Sequence, residues 1–225
     1  MLAIDAAVRG CQRCGLAGSR TNAVPGEGPA APAVLFIGEG PGFNEDQQGR
    51  PFVGRAGQLL DELLASLQIP RGDVYITNVV KCRPPDNREP APDEVAACAP
   101  YLESQIRLLN PRVIVTLGRY SLATFFPQAR ISSEHGRILR WRGRVVLPLY
   151  HPAAALRSTS IKATLQADFK RIPEAVLEAL QGTPVASPAP SRAAVAPPAA
   201  PVQPGAIESE DLSDGNNTRG QLPLF

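Results

Sequence analysis

The run Ala33-Val34-Leu35-Phe36-Ile37 goes straight into Gly38-Glu39-Gly40-Pro41-Gly42, and that junction limits what the chain can become. Five consecutive apolar residues rich in β-formers suit a strand buried on both faces. Three glycines and a proline in the next five positions end it, excluding helix and strand and letting backbone approach a ligand closely. A single carboxylate, Glu39, therefore stands at the carboxyl end of a central strand. Ten residues on, Gly49-Arg50-Pro51-Phe52-Val53-Gly54 sets an aromatic in a second tight loop. A helix is expected from about Ala56, because Leu59, Leu60, Leu63, Leu64 and Leu67 form one apolar stripe. The glycines do not make a nucleotide site. A dinucleotide fingerprint needs its third glycine at position 43, which is Phe43, and no Walker lysine follows.

Further strands are expected at Val74–Val80, Arg112–Leu117 and in a hairpin of Ile138–Arg142 with Val145–Tyr150. Helical stretches fall between them: residues 5 to 10, a region opened by Pro92 and broken or restarted by Pro100, one from Ser121, and a last from about Leu165 to Leu180. Alternating strands and helices predict an α/β fold, a mostly parallel central sheet covered on both faces.

A chain of 225 residues is long enough for one full core. Residues 1–181 are expected to hold it. From residue 182 Pro, Ala and Ser dominate, so 182–220 reads as a disordered linker that cannot bury a core. The formal charge of +2 is unevenly spread. The tail after residue 181 carries Glu208, Glu210, Asp211 and Asp214 against Arg192 and Arg219, which leaves a mildly basic body. That allows nucleic-acid binding without demanding it. No apolar run approaches a membrane span and no signal-peptide core follows Met1, so no membrane contact and a cytoplasmic location are expected. Four cysteines there are poor candidates for structural disulfides. The Cys11-x2-Cys14 pair with Cys82 and Cys98 suggests a metal, with spacing that fits zinc or an iron–sulfur cluster.

Three strands end in chemistry-bearing residues: Glu39, Asn78 and His151. In open α/β sheets ligands bind at the carboxyl ends of the strands. An acid, an amide and an imidazole, with Phe52 nearby, suit a planar heterocycle. Phe52 can stack on its face, and Asn78 can pair with an edge bearing adjacent C=O and N–H groups. His151 can donate to an oxygen that gains charge as a bond breaks, and Glu39 can position water or stabilise a cation. Taken singly, each is an ordinary turn, cap, core or surface residue; their shared placement makes the site.

Four linked segments resemble the family 4 uracil-DNA glycosylases, the iron–sulfur branch of the uracil-DNA glycosylase superfamily. They are Gly38–Gly42, Gly49–Gly57, Tyr75–Pro85 and His151-Pro152-Ala153, and the resemblance covers roughly residues 8 to 180. It implies a three-layer α/β/α sandwich and monofunctional hydrolysis of the bond between uracil and deoxyribose in DNA, single- or double-stranded. By the same resemblance Glu39 and Gly40 lie by the flipped base and the attacking water, and Phe52 stacks on uracil. Asn78 reads O4 and N3–H, and His151 stabilises charge developing at O2. For Glu39 three roles stay open: orienting water, stabilising the sugar cation, or excluding the methyl of thymine. Cys11, Cys14, Cys82 and Cys98 are implied to hold a [4Fe–4S] cluster. Lys81, Arg83, Arg88, Arg157 and Lys162 are candidates for phosphate contacts, and Leu156 for filling the vacated base stack. The chain departs from the wider pattern at Ala153-Ala154, where relatives often have Ser-Pro, and at Phe43-Asn44, where acids are common. The alternatives are a glycosylase of the same fold with another base range (hypoxanthine, mismatched thymine) and an inactive DNA-binding adaptor.

The chain ends Gln221-Leu222-Pro223-Leu224-Phe225, which resembles the pentapeptide by which bacterial repair proteins bind the sliding clamp. Gln221, Leu222, Leu224 and Phe225 are its expected contacts, and the protein is expected to be monomeric.

Overall fold

The computed structural model describes residues 1–181; the linker and the terminal pentapeptide read from the sequence lie outside the described residues. Five strands form one sheet: β1 (Val34–Gly38), β2 (Tyr75–Asn78), β3 (Val113–Leu117), β4 (Leu139–Trp141) and β5 (Arg144–Leu149). Their order is β2-β1-β3-β5-β4. β2, β1, β3 and β5 pair in parallel, and β4 closes one edge as the antiparallel arm of a hairpin. The turn of that hairpin uses Arg142 and Gly143, both at positive φ.

All five residues of β1 and of β3 are buried, as expected for strands covered on both faces. Alternation assigns them to two cores. Val34, Phe36, Ile76, Val113, Val115, Val145 and Leu147 point to one side, against Leu60 and Leu64 from one helix and Leu165, Phe169 and Ile172 from two others. Leu35, Ile37, Tyr75, Ile114 and Val146 point to the other side, against Val8, Leu102, Ile106 and Phe125. The result is the expected α/β/α sandwich.

The helix Pro92–Leu109 runs unbroken through Pro100. Its apolar face, with Cys98, Tyr101, Leu102, Ile106 and Leu109 buried, outweighs the hydrogen bond that proline removes. Three further differences from the sequence reading occur. A short helix, Phe43–Gln48, follows the glycine-rich loop. The expected final helix is two, Thr159–Phe169 and Ile172–Gln181. The second strand ends at Asn78 rather than Val80, which places that residue on the rim of the sheet.

Candidate active site

β1 and β2 end side by side, with Gly38 opposite Asn78. Backbone pairing continues one step beyond the strands, as Val79 N–H donates to Gly38 (2.9 Å) and Val80 N–H to Glu39 (3.1 Å). Gly38 lies at the base of this junction. A Cβ there would stand 2.4 Å from Asn78 Oδ1 and 2.6 Å from the Phe52 ring. Only a missing side chain lets the amide and the aromatic meet over this point.

Phe52 adopts an unusual backbone, φ 50°. Such a conformation persists in a non-glycine residue when its surroundings determine it. Here Glu45 is the main determinant. Its Oε1 accepts from Val53 N–H (2.9 Å) and Gly54 N–H (2.8 Å), and its Oε2 from Gly42 N–H (3.1 Å). One carboxylate thus ties the Gly38–Gly42 loop to the Phe52 loop. Arg71 Nη2 donates to the Pro51 carbonyl (2.7 Å) from the other side. Gly57, in the first turn of the helix Arg55–Ser66, makes room for the Phe52 carbonyl, which would stand 1.9 Å from a Cβ.

His151 follows β5 and caps the turn Pro152–Ala155, its Nδ1 accepting from Ala153 N–H (3.1 Å). Gly118 follows β3 at φ 92°, and a Cβ there would stand 3.1 Å from the His151 Cβ. The ring stacks on Phe52 with centroids 5.6 Å apart. Burial pushes the His151 pKa down to about 4, with Glu45 opposing weakly. The imidazole is therefore neutral near pH 7. Because Nδ1 is an acceptor, the proton resides on Nε2, which is left as a donor.

Asn78 is 1% exposed, and its Oδ1 is a buried acceptor with no hydrogen-bond partner among the described residues. An unpaired buried acceptor costs about 1–3 kcal/mol, so it is an observation that requires a ligand donor or another explanation. Asn78, Phe52, His151, Glu39 and Gly40 all line one cleft of about 630 Å³. The five residues expected from the sequence do come together. Burial and the nearby Glu89 raise the Glu39 carboxyl above its ordinary range, with Arg119 opposing. Glu89 reaches across the mouth to Arg119 and Tyr120.

The basic residues divide. Lys81 is 1% exposed and cannot reach a phosphate, which corrects its reading as a surface cation. Burial also pushes it down to about 8. Arg88 and Arg157 line the cleft, Arg88 being held by the buried Glu94 (2.6 Å). Arg83 donates to Asn87 (2.8 Å) and covers the Phe43 ring. Leu156 is exposed at 38%, one turn beyond His151.

The four cysteines converge from three segments on a small cavity behind the cleft. Arg20 Nη1 donates to Cys82 Sγ (3.0 Å) and the Lys81 N–H to Cys98 Sγ (3.3 Å). Burial raises Cys82 and pushes Cys98 up to about 11. Among the described residues no group of three or more His, Cys, Asp or Glu is arranged to hold a single metal ion. Four sulfurs around one shared void, with N–H groups aimed at three of them (Arg13 N–H also donates to Cys11 Sγ, 3.5 Å), nevertheless fit a larger thiolate-bound group.

Glu45 escaped the sequence reading, which took Gly38 and Gly57 only as parts of their loop segments. Glu45 had a local signal, since a carboxylate three residues after Gly42 is the reach-back half of a capping box. For Gly38 and Gly57 the segments gave no hint of which side chains they seat, because that role lies in what fills the space beside them.

A mostly parallel sheet with helices on both faces and a cleft at the carboxyl rim of its strands defines the α/β/α class. A family model for the uracil DNA glycosylase superfamily matches residues 25–176. The chain is 47% identical over 174 residues to a type-4 uracil-DNA glycosylase of Sulfurisphaera tokodaii, covering 73% of this chain and 79% of that protein. It is 47% identical over 179 residues to that of Saccharolobus solfataricus (75% and 83% covered). With that of Thermotoga maritima the identity is 50% over 156 residues (68% and 81%). The chain belongs to the uracil DNA glycosylase superfamily.

Proposed function

We propose that this chain is a uracil-DNA glycosylase of the type-4 kind, a DNA-repair hydrolase that releases uracil from DNA and leaves an abasic site. The observation that carries the reading is the unpartnered Asn78 Oδ1, buried in the cleft beside Phe52 and His151. Uracil supplies the missing donor at N3–H, while the amide nitrogen of Asn78 donates to O4. Cytosine presents an unprotonated N3 to the same oxygen, and a good bidentate contact discriminates by about 1–3 kcal/mol. Phe52 stacks on the base. Its extrusion from the helix costs a few kcal/mol, which Arg157 offsets at the phosphates and Leu156 by filling the gap.

His151 Nε2–H donates to O2, where negative charge grows as the glycosidic bond breaks. A neutral imidazole suits this role, since donor and oxyanion need no proton exchange. Glu39, beside Gly40 at the rim, orients the attacking water or stabilises the sugar cation. Cys11, Cys14, Cys82 and Cys98 would hold a [4Fe–4S] cluster. That group would join the N-terminal segment to the loop after Asn78, and the hydrolysis draws no electrons from it.

The catalytic body is residues 1–181, acting as a cytoplasmic monomer; no helix among the described residues is long and apolar enough to cross a membrane. Residues 182–220 form the linker to a clamp-binding peptide, Gln221, Leu222, Leu224 and Phe225, all outside the described residues. Deleting 221–225 is expected to abolish binding to a purified bacterial sliding clamp and leave excision from short DNA intact; unchanged clamp affinity would refute the peptide reading.

The test of function uses labelled oligonucleotides carrying one uracil, hypoxanthine or mismatched thymine, incubated in chelator and then treated with hot alkali. Cleavage at uracil that requires alkali and is slowed by orders of magnitude in Asn78→Ala and His151→Ala is expected. Cleavage only at another base, or none from folded protein that binds DNA, would overturn the proposal.

A further inference from the structure

Lys81 carries a charge into the protein interior, where Cys98 and Asp5 are the acidic groups that favour it. Its ammonium is fully enclosed, and each of its three N–H groups meets a neutral acceptor. These are Thr77 Oγ1 (2.6 Å), the Asn78 carbonyl (2.7 Å) and Gln105 Oε1 (2.6 Å). Apolar side chains of similar volume often replace buried charges at no loss of stability. The arrangement therefore calls for a reason beyond packing.

The reason lies in what the ammonium holds. β2 is the edge strand of the sheet. Farther back along that edge, Ile76 is covered by Glu27, which exchanges both backbone hydrogen bonds with it. At Asn78 no strand among the described residues receives the outward carbonyl, and Lys81 Nζ takes that position. The same peptide unit is gripped on its other side, where Val79 N–H donates to Gly38 (2.9 Å). Both ends of the 78–79 peptide plane are thus fixed, and with them the direction in which the Asn78 side chain leaves the backbone.

The holder is itself braced. Thr77 Oγ1 donates to the Pro25 carbonyl (2.8 Å) and Gln105 Nε2 to the same oxygen (2.7 Å). Three segments therefore converge behind one amide: the residue 25 loop, the rim of β2 and the helix Pro92–Leu109.

We propose that Lys81 is a positioning residue for base recognition, its buried ammonium clamping the Asn78 carbonyl so that the amide meets the uracil edge in one orientation. This rests on the glycosylase reading. Lys81 never touches the substrate and acts only through Asn78.

The test is a double-mutant cycle in the full-length holoprotein, read by single-turnover excision from uracil-containing duplex. Lys81→Met is expected to slow excision 10- to 100-fold, since displacement of a reacting or reading group by about 1 Å costs about 10²-fold. In an Asn78→Ala background, followed over hours, the same change is expected to cost less than about twofold, because the group it positions is gone. Affinity for abasic-site DNA, which has no base to read, is expected to stay within about twofold. Should Lys81→Met not fold or lose its visible absorbance, Gln105→Met runs the same cycle with the lysine in place and a smaller loss, three- to tenfold. An equal loss in both backgrounds, or no loss in either variant, would overturn the proposal. Wild-type protein that releases no uracil would instead remove the glycosylase reading beneath it.

Discussion

Gly38→Ala adds one methyl where the amide and the aromatic meet. Gly38 is in the strand and outside the positive-φ set, so its backbone accepts alanine without strain. The effect is therefore one of space alone. The new Cβ would stand 2.4 Å from Asn78 Oδ1 and 2.6 Å from the Phe52 ring, with a second ring atom at 2.8 Å. Carbon atoms rest about 3.5–4.0 Å apart, so the ring must withdraw by about 1 Å, and the amide by nearly as much. Overpacking of this kind costs about 1–3 kcal/mol of stability. The cost in rate is larger in proportion, because about 1 Å of misplacement is worth about 10²-fold. Single-turnover excision at saturating enzyme is the assay, beside urea denaturation of the same preparations. Gly72→Ala is the control, since nothing lies within 4 Å of the Cβ it adds. The variant at 38 is expected to remain folded and lose about two orders of magnitude in rate, while the control loses neither. Gly38→Ala with wild-type rate and stability would refute the view that this glycine seats the two groups.

Three other perturbations have definite expected outcomes. Glu45→Gln replaces a carboxylate facing three backbone N–H groups with an amide that can accept at one atom only; a loss of about 2 kcal/mol and a weaker apparent affinity for uracil-DNA are expected, read by urea titration and single-turnover saturation. His151 is held near 4 against 6.5, so between those values the unfolded chain takes up a proton that the folded one refuses. Its contribution is complete above about pH 6.5 and is lost as pH falls towards 4. Stability should drop by about 2 kcal/mol more between pH 7 and pH 5 in wild type than in His151→Gln, measured by urea midpoints. On the proposed cluster, Cys98→Ser is expected to give protein with less bound iron than wild type and a lower thermal midpoint, by metal analysis and calorimetry, since Cys98 shares its cavity with Cys11, Cys14 and Cys82.

The strand ends were legible because parallel strands advertise themselves as short apolar runs, and a glycine-rich stop after β1 has few other meanings. Glu39, Asn78 and His151 could be set on one rim from that pattern alone. What the pattern lacks is depth. Lys81 follows Asn78 in a loop with Arg83 and Arg88, and by charge and neighbours it reads as one more surface cation. Only the edge position of β2, a property of topology rather than of local sequence, turns its side chain inward. Pro100 misleads in the same way, since a local rule about proline yields to the buried face of the helix around it. Glu45 lies between these cases, with a capping signal in the sequence whose second function, gripping the Phe52 loop, appears only once the two loops meet. The candidate-site residues are thus readable where chemistry coincides with strand ends. The residues that hold them, Gly38, Glu45, Gly57 and Lys81, act through space and backbone, and for that reason become visible only in three dimensions. Perturbing those four tests the geometry of the site with its chemical groups left in place.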